Sequence, residues 1–348
     1  GLSNSEGNHG EDVKEYYFYI DSTPTHSYMK YLYKYPHKAY PYDDIVGTNL
    51  RRSRYEAEYE LLDTGIFNDN RYSDVFVEYA KESPEDILIR ISVFNRSAEA
   101  ASLNVLPTLW FRNTWHNNED EEIPVLKQVS LNKASGVVEA SHRDMGKWLF
   151  NASGANDLLF TNNETNINRL AGVPNITPYV KDGINNYIVM GQKNALNPEK
   201  TGTKAAAQYI LNIKGGGSQT MNLRLTKTVT AAKKPAKKEA EAFGSGFDNT
   251  FKLRLKEADE FYATVIPSSL GVDEANVMRQ ALAGMLWSKQ FFNYDVARWL
   301  KEHGVNSSKS RQRSIRNDRW HHMNNSDIIS MPDKWEYPWY AAWDLAFH

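Results

Sequence analysis

The sequence contains no cysteine among its 348 residues, which excludes disulfides, cysteine-ligated zinc and a thiol nucleophile. It also lacks an excess of charge, since 41 lysines and arginines stand against 43 aspartates and glutamates, giving a net charge of −2. This balance argues against binding of the whole chain to nucleic acid or to an acidic membrane surface. No apolar run approaches the roughly 20 residues of a membrane span, and none resembles a signal peptide. We therefore expect no nucleic-acid partner, no membrane partner and a cytoplasmic location.

Aromatic side chains are abundant. The chain has 9 tryptophans, 20 tyrosines and 14 phenylalanines, 12% of all residues. Aromatic faces suit sugars, nucleobases and large β cores. The excess therefore favours these three uses but does not distinguish among them.

The first two thirds of the chain predict β structure. Short runs with period-two alternation or strand-like composition are separated by polar turns, which is typical of a large antiparallel β-sandwich, here over residues 12–230. The predicted strands cover 55–61, 74–81, 87–95, 103–112, 136–141, 148–152, 185–192, 205–213 and 219–228. The stretch 162–181, rich in Asn, Thr, Pro and Gly, predicts a long loop that covers a site.

The period changes after residue 240. Apolar residues spaced by three and four predict helices over 247–265 and 273–303. Residues 231–270 form a linker with a helix, and its lysine run at 233–238 reads either as an anion patch or, as composition favours, as solvated linker. Residues 271–348 begin a helical domain. A twelve-helix barrel needs at least ~200 residues, so we expect the barrel to be truncated in this chain.

A basic segment near the C-terminus allows two interpretations. Four arginines and Lys309 precede Trp320, His321 and His322, which would suit a phosphate or nucleic-acid grip. The balanced net charge favours an exposed loop instead. Adjacent histidines on a helix point about 100° apart and do not readily share a metal, so no metal site and no cofactor are predicted.

The aromatic residues are densest after Met331, where they accompany carboxylates. The indoles Trp335, Trp339 and Trp343 suit stacking on the faces of a pyranose, and Asp333 and Glu336 suit hydrogen bonds to its hydroxyls. Asp344 stands between Trp343 and Leu345, and an apolar setting of that kind raises the pKa of a carboxyl group, as a general acid requires. These residues predict a glycoside or oligosaccharide substrate; an aromatic core segment with a structural aspartate fits the pattern equally well.

Four runs of this sequence resemble bacterial glucosidases of glycoside hydrolase family 63, which are relatives of the eukaryotic processing α-glucosidase I and of bacterial mannosylglycerate hydrolase. The most specific run, WEYPWYAAWDLAFH at 335–348, resembles the catalytic-acid segment of that family. The others are YMKYLYKYP at 28–36, RYEAEY at 54–59 and LPTLWFRNTW at 106–115. The resemblance extends over nearly the whole chain.

The resemblance implies an N-terminal β-sandwich followed by an (α/α)6 barrel, and inverting hydrolysis of an α-glycosidic bond. Asp344 would protonate the leaving oxygen, and a glutamate further along the barrel, beyond His348, would activate water about 6.5–9.5 Å away. The remainder of the barrel is thus an expected partner, and the chain alone is expected to be inactive. Two alternatives stay open: a non-catalytic carbohydrate-binding or structural module, and a glycoside phosphorylase of the same plan in which phosphate replaces the base.

Overall fold

Strands hold more of the described residues than helices do. The structure, a computed structural model, describes residues 16–115, 121–228, 242–303, 319–330, 340 and 343. The described strands are β1 (Tyr17–Ser22), β2 (Tyr28–Pro36), β3 (Tyr72–Ser83), β4 (Asp86–Asn95), β5 (Ala101–Val105), β6 (Thr108–Trp110), β7 (Val125–Leu131), β8 (Ser135–His142), β9 (Gly146–Ser153), β10 (Asp157–Thr161), β11 (Thr201–Gly202), β12 (Lys204–Ile213), β13 (Ser218–Lys227), β14 (Lys289–Asp295) and β15 (Asn324–Ser330).

Helices occupy fewer residues and lie mostly after the strands. The described α-helices are α1 (Tyr42–Arg51), α2 (Ile167–Ala171), α3 (Gly183–Met190), α4 (Ser245–Val265), α5 (Val272–Trp287) and α6 (Val296–Glu302). None of these described helices combines the length and the apolar character that crossing a membrane requires.

Two antiparallel sheets face each other. The larger has nine strands in the order β1-β2-β3-β4-β13-β9-β8-β7-β11, and the smaller has the order β10-β12-β5 with β6 also paired to β12. Their inner faces share one core, to which the large sheet contributes Val93, Phe150 and Leu223 and the small sheet Phe160 and Leu211. The predicted large antiparallel β region is thereby confirmed. The limits 12–230, 231–270 and 271–348 stay predictions.

The outer face of the large sheet carries α4. Phe247 and Phe251 lie one helical turn apart, so both side chains face the sheet, where they pack with Tyr28 and Leu88. The guanidinium of Arg90 on β4 lies 4.2 Å from the centre of the Phe251 ring, a further contact between the helix and the sheet. The helix predicted over 247–265 is confirmed.

The prediction of helix throughout 273–303 is wrong for the middle of that range, which forms a strand. Helix α5 ends at Trp287, and residues 289–295 form β14, which pairs antiparallel with β15. The sequence KQFFNYD alternates along this strand, so that Phe292 and Tyr294 share one face with their rings 6.3 Å apart. This period-two pattern of aromatic residues outweighs the helical spacing around it. The barrel itself stays a prediction.

The strand predicted over 55–61 is also wrong, because a side chain satisfies the backbone there. The amide of Asn49 donates to the Tyr59 carbonyl (3.0 Å) and accepts from the Tyr59 N–H (2.8 Å). Tyr59 then packs on Ile45 and Leu61 in a small separate core beside α1. An alternating sequence thus forms turns, since its hydrogen-bonding groups find local partners.

The strand predicted over 185–192 is a helix instead. Ile184, Tyr187 and Ile188 have helical spacing and pack on the outer face of the small sheet. Gly191 ends the helix with a left-handed φ of 67°, the conformation that glycine adopts most readily. Short apolar runs of this kind are ambiguous between strand and helix until their packing is known.

Two further predictions are altered in detail. The strand expected over 103–112 is interrupted at Pro107, which has no N–H to donate, and continues as β5 and β6 on different stretches of β12. The loop expected over 162–181 contains the short helix α2 and is anchored by the Asn166 amide, which donates to Asp182 (3.1 Å).

The core also holds a hydroxyl group with no hydrogen-bond partner among the described residues, that of Tyr209. Burial raises the pKa of Tyr209, so this group stays protonated at neutral pH. We expect Tyr209→Phe to leave the free energy of unfolding unchanged or to raise it by about 1 kcal/mol, because it removes an unsatisfied polar atom. Thermal and denaturant unfolding measure this change.

Tyr28→Phe is the matched control. Tyr28 is as buried a residue as Tyr209, but its hydroxyl donates to the Glu78 carboxylate (2.7 Å), so the loss of that hydroxyl should cost roughly 1.5–3 kcal/mol. A fall in stability of Tyr209→Phe as large as that of Tyr28→Phe would show that the Tyr209 hydroxyl is bonded after all.

Candidate functional site

Most residues of the predicted sugar site lie outside the described residues. This holds for Asp344, Trp335, Glu336, Trp339 and Asp333. Their neighbour Trp343 is described, and 79% of its surface is exposed.

One other described residue of this segment, Tyr340, contacts β14. The ring of Tyr340 lies 5.3 Å from the ring of Phe292 on β14, and Tyr340 is half-buried. Tyr340 therefore lies against β14.

A row of tyrosines covers one face of the large sheet at its β1 edge. The cross-strand pairs Tyr17–Tyr33 and Tyr19–Tyr31 place four rings on this face, and period two along β2 adds Tyr35. Ring centres lie 5.6 Å apart for Tyr17 and Tyr19 and 6.3 Å apart for Tyr33 and Tyr35. We call these five residues the aromatic strip.

The aromatic strip continues the inner face of the sandwich. Tyr33 pairs with Val75 and Tyr31 with Val77, and both valines pack against the core between the two sheets. The strip therefore lies on the side of the large sheet that faces the small sheet, opposite the side covered by α4.

Helix α5 docks on this face through Trp287. Its indole stacks on Tyr19 with ring centres 5.3 Å apart and planes 13° apart, and it also contacts Tyr31 and Tyr79 at 6.0 and 6.4 Å. The indole N–H donates to the Asp21 carbonyl at 2.9 Å. Trp287 is thus surrounded by tyrosines from three neighbouring strands.

A charged pair joins the same helix to β1. Arg279 of α5 donates to the buried carboxylate of Asp21 and, at 2.7 Å, to Asp259 of α4. Its guanidinium lies 4.6 Å from the ring centre of Tyr262, whose hydroxyl donates to the Ser22 carbonyl at 2.6 Å. Burial alone would lower the pKa of Arg279, but its bonds to the two carboxylates raise it. The arginine therefore stays charged and ties both helices to the sheet edge.

This arrangement suits recognition more than acid–base chemistry. Rows of phenol rings offer apolar faces and hydroxyl rims, as sugar C–H faces and hydroxyls require. Across the ranges that the structure describes, no group of three or more His, Asp or Glu side chains is placed to hold a metal ion. The chemistry predicted for this protein thus depends on the segment around Asp344.

The basic segment is described only at its end. Trp320 and His322 stack with ring centres 6.1 Å apart, and Trp320 is exposed. The arginines before Arg319, Lys309 and the lysine run at 233–238 lie outside the described residues.

Reasoning from the sequence missed the role of Trp287, Arg279 and Asp21. The alternation of tyrosines at 17 and 19 and at 31, 33 and 35 is the signal that indicates a shared face. The partner of that face could not be inferred, since it lies some 250 residues away along the chain, in α5.

The chain is similar in sequence to a yeast protein. No protein-family model matches the chain. An uncharacterized protein of Saccharomyces cerevisiae, YMR196W, is 38% identical over an alignment of 387 positions, a match that covers 100% of this chain. The chain spans only 35% of the length of that relative.

Solved structures resemble the chain only weakly. A putative kojibiose phosphorylase from human microbiome has a TM-score of 0.26 and 8% identity, covering 67% of this chain and 25% of that one. A polysaccharide lyase also has a TM-score of 0.26, with 12% identity, and covers 46% of this chain and 20% of the lyase. At such scores neither likeness assigns a fold or a function.

Proposed function

We propose that this chain is the N-terminal part of an inverting α-glycosidase that hydrolyses α-glucosidic or related bonds. The single observation that carries the proposal is the run at 335–348, which resembles the catalytic-acid segment of family 63 glucosidases. Asp344 is the general acid: its proton goes to the glycosidic oxygen as the bond from that oxygen to the anomeric carbon breaks.

The aromatic residues around Asp344 bind the sugar. Trp335, Trp339 and Trp343 form a platform under the pyranose, and the carboxylates of Asp333 and Glu336 accept hydrogen bonds from its hydroxyls. The exposure of the Trp343 side chain supports this role, because a stacking surface must be accessible to its ligand.

The water-activating base belongs to the part of the barrel beyond His348. A glutamate there accepts a proton from water, and that water attacks the anomeric carbon from the face opposite the leaving group. An acid without its base cannot position water, so this chain alone should be inactive. The chain spans 35% of the length of its yeast relative, which supports the proposal that further sequence belongs to the active protein.

The stereochemistry of the product tests the proposal. We expect a full-length protein that contains this chain to release the β-anomer of the sugar first from an α-glucoside, followed by slow mutarotation. Proton NMR during the first minutes of the reaction distinguishes the two anomers. Initial release of the α-anomer would contradict inversion.

Adding phosphate separates the alternatives in the same assay. Turnover that requires phosphate and yields a sugar phosphate would identify a phosphorylase, in which phosphate is the attacking group. Binding of the glycoside with no turnover in either buffer would identify a non-catalytic module.

A further inference from the structure

A pocket opens where the aromatic strip ends. It has a volume of about 440 Å³, within the range of small-molecule sites, and lies between the end of β2, the turn before β3 and the loop that leads into β5. One wall is the ring of Tyr35, which is 44% exposed. Polar walls are formed by His37, Arg71 and Glu99.

The loop that forms one wall is held rigidly by a single buried side chain. The Asn95 amide donates to the Glu99 carbonyl (2.7 Å) and to the Ile213 carbonyl (3.0 Å), while its oxygen accepts from the Ser97 N–H (3.0 Å). Asn95 is only 1% exposed, so these bonds are shielded from water. The loop is thus shaped before any ligand arrives.

The opposite wall is tied to the sheet. The backbone N–H of His37 donates to the Arg71 carbonyl (2.9 Å). The Nε2 atom of the His37 ring lies 2.9 Å from the Ser73 hydroxyl oxygen. Asp69 and Asn70 follow each other with left-handed φ angles of 60° and 54°, a conformation that Asp and Asn adopt more readily than other residues with a side chain. The turn that carries Asp69 and Arg71 is thus fixed to the end of β2 through His37.

The charges of the walls balance. Lys38 and Arg71 stand against Asp69 and Glu99, and burial lowers the pKa of His37, which leaves that ring neutral at pH 7. A lining with two charges of each sign offers no net attraction to an anion or a cation. The Arg71 guanidinium supplies paired donors, and the Asp69 and Glu99 carboxylates supply paired acceptors. Such groups can each hydrogen-bond two neighbouring hydroxyls of one ligand.

We infer that this pocket binds a neutral mono- or disaccharide unit, stacked on Tyr35 and hydrogen-bonded by Arg71, Asp69 and Glu99. The choice of a sugar among neutral polyhydroxyl ligands rests on the proposed function, while the pocket and its charge balance do not. The aromatic strip leads to the pocket through Tyr33, whose ring adjoins that of Tyr35. A longer oligosaccharide would therefore extend from the pocket only as far as Tyr33, because Trp287 covers Tyr19 and Tyr31.

The test is direct binding to this chain. Titration with glucose, maltose, maltotriose and cellobiose, followed by calorimetry and by saturation-transfer NMR, should give millimolar binding of at least one sugar. Tyr35→Ala and Arg71→Ala should each weaken that binding about tenfold or more. Tyr35→Phe should retain most of the affinity, since it keeps the ring.

Tyr55→Ala is the control for a lost exposed tyrosine, because Tyr55 is 83% exposed and does not line the pocket. Its affinity should match that of the unchanged protein, and thermal unfolding checks that all variants are folded. Sugar binding that Tyr35→Ala and Arg71→Ala leave intact would overturn the inference, as would absence of binding or binding of inorganic phosphate instead. A full-length protein that binds sugar in this pocket but gives no turnover would disprove the proposed hydrolase, while the inference about the pocket would stand.

Discussion

Replacing Asp344 by asparagine in the full-length protein is expected to lower hydrolysis of an unactivated α-glucoside by roughly 10²–10⁴-fold, the usual contribution of a general acid. Asparagine has nearly the shape of aspartate and keeps hydrogen-bonding capacity, but it has no proton to give to the leaving oxygen. The loss should appear in kcat as well as in kcat/KM, because proton transfer occurs in the transition state. Steady-state kinetics on maltose measures both constants.

The leaving group distinguishes an acid from a residue that only supports the fold. A glycosyl fluoride or a dinitrophenyl glycoside departs without protonation, so Asp344→Asn should retain most of its activity on such substrates. Glu336→Gln is the matched control: we expect a raised KM with a smaller effect on kcat, since that carboxylate is proposed to bind hydroxyls. Near-normal turnover of maltose by Asp344→Asn would rule out the assignment.

Replacing Trp287 by alanine is expected to have the largest effect on stability, about 3 kcal/mol, at the lower end of the range for removal of a large aromatic side chain because the indole is only half-buried. The substitution removes the stacking on Tyr19 and the contacts with Tyr31 and Tyr79. It also leaves the Asp21 carbonyl without the indole N–H as donor. Denaturant unfolding gives the free energy, and limited proteolysis should cut first at α5.

Trp110→Ala supplies the control for this substitution. Trp110 lies on β6 with 57% of its surface exposed, so its loss should change stability by no more than about 0.5 kcal/mol. Equal losses for both variants would mean that α5 is not fixed to the sheet through Trp287. Retention of the helix in Trp287→Phe, which keeps an aromatic ring among the tyrosines, would support docking by stacking.

The fold was predictable where local pattern and tertiary environment agree. The strands at 74–81 and 87–95 were predicted because one of their faces packs in the core and the turn between them is encoded locally. The structure of segments 55–61 and 185–192 was not predictable in this way. The Asn49 amide bonds the backbone of the first segment, and the second packs on the small sheet with helical spacing. Propensity cannot anticipate partners that only the folded chain brings near.

The residues of the candidate site were likewise predictable only where the signal lies in one contiguous run. Asp344 and its neighbours were identified by resemblance of a contiguous run, for which no packing need be known. The docking of Trp287 and the bond of Arg279 to Asp21 depend on residues more than 250 positions apart. The pocket beside Tyr35 joins three separate stretches of chain, and its polar residues are unremarkable in sequence.

The position of β13 in the large sheet affects the order in which the chain can be assembled. This strand lies between β4 and β9, and among the described strands of the large sheet it alone joins the block β1-β2-β3-β4 to the block β9-β8-β7-β11. Until residue 227 has left the ribosome, the two blocks are separate sheets, each with an unpaired inner edge. The nascent chain is therefore most exposed to misassociation just before its centre is complete, and pairing of β13 is the step that commits both halves to one fold.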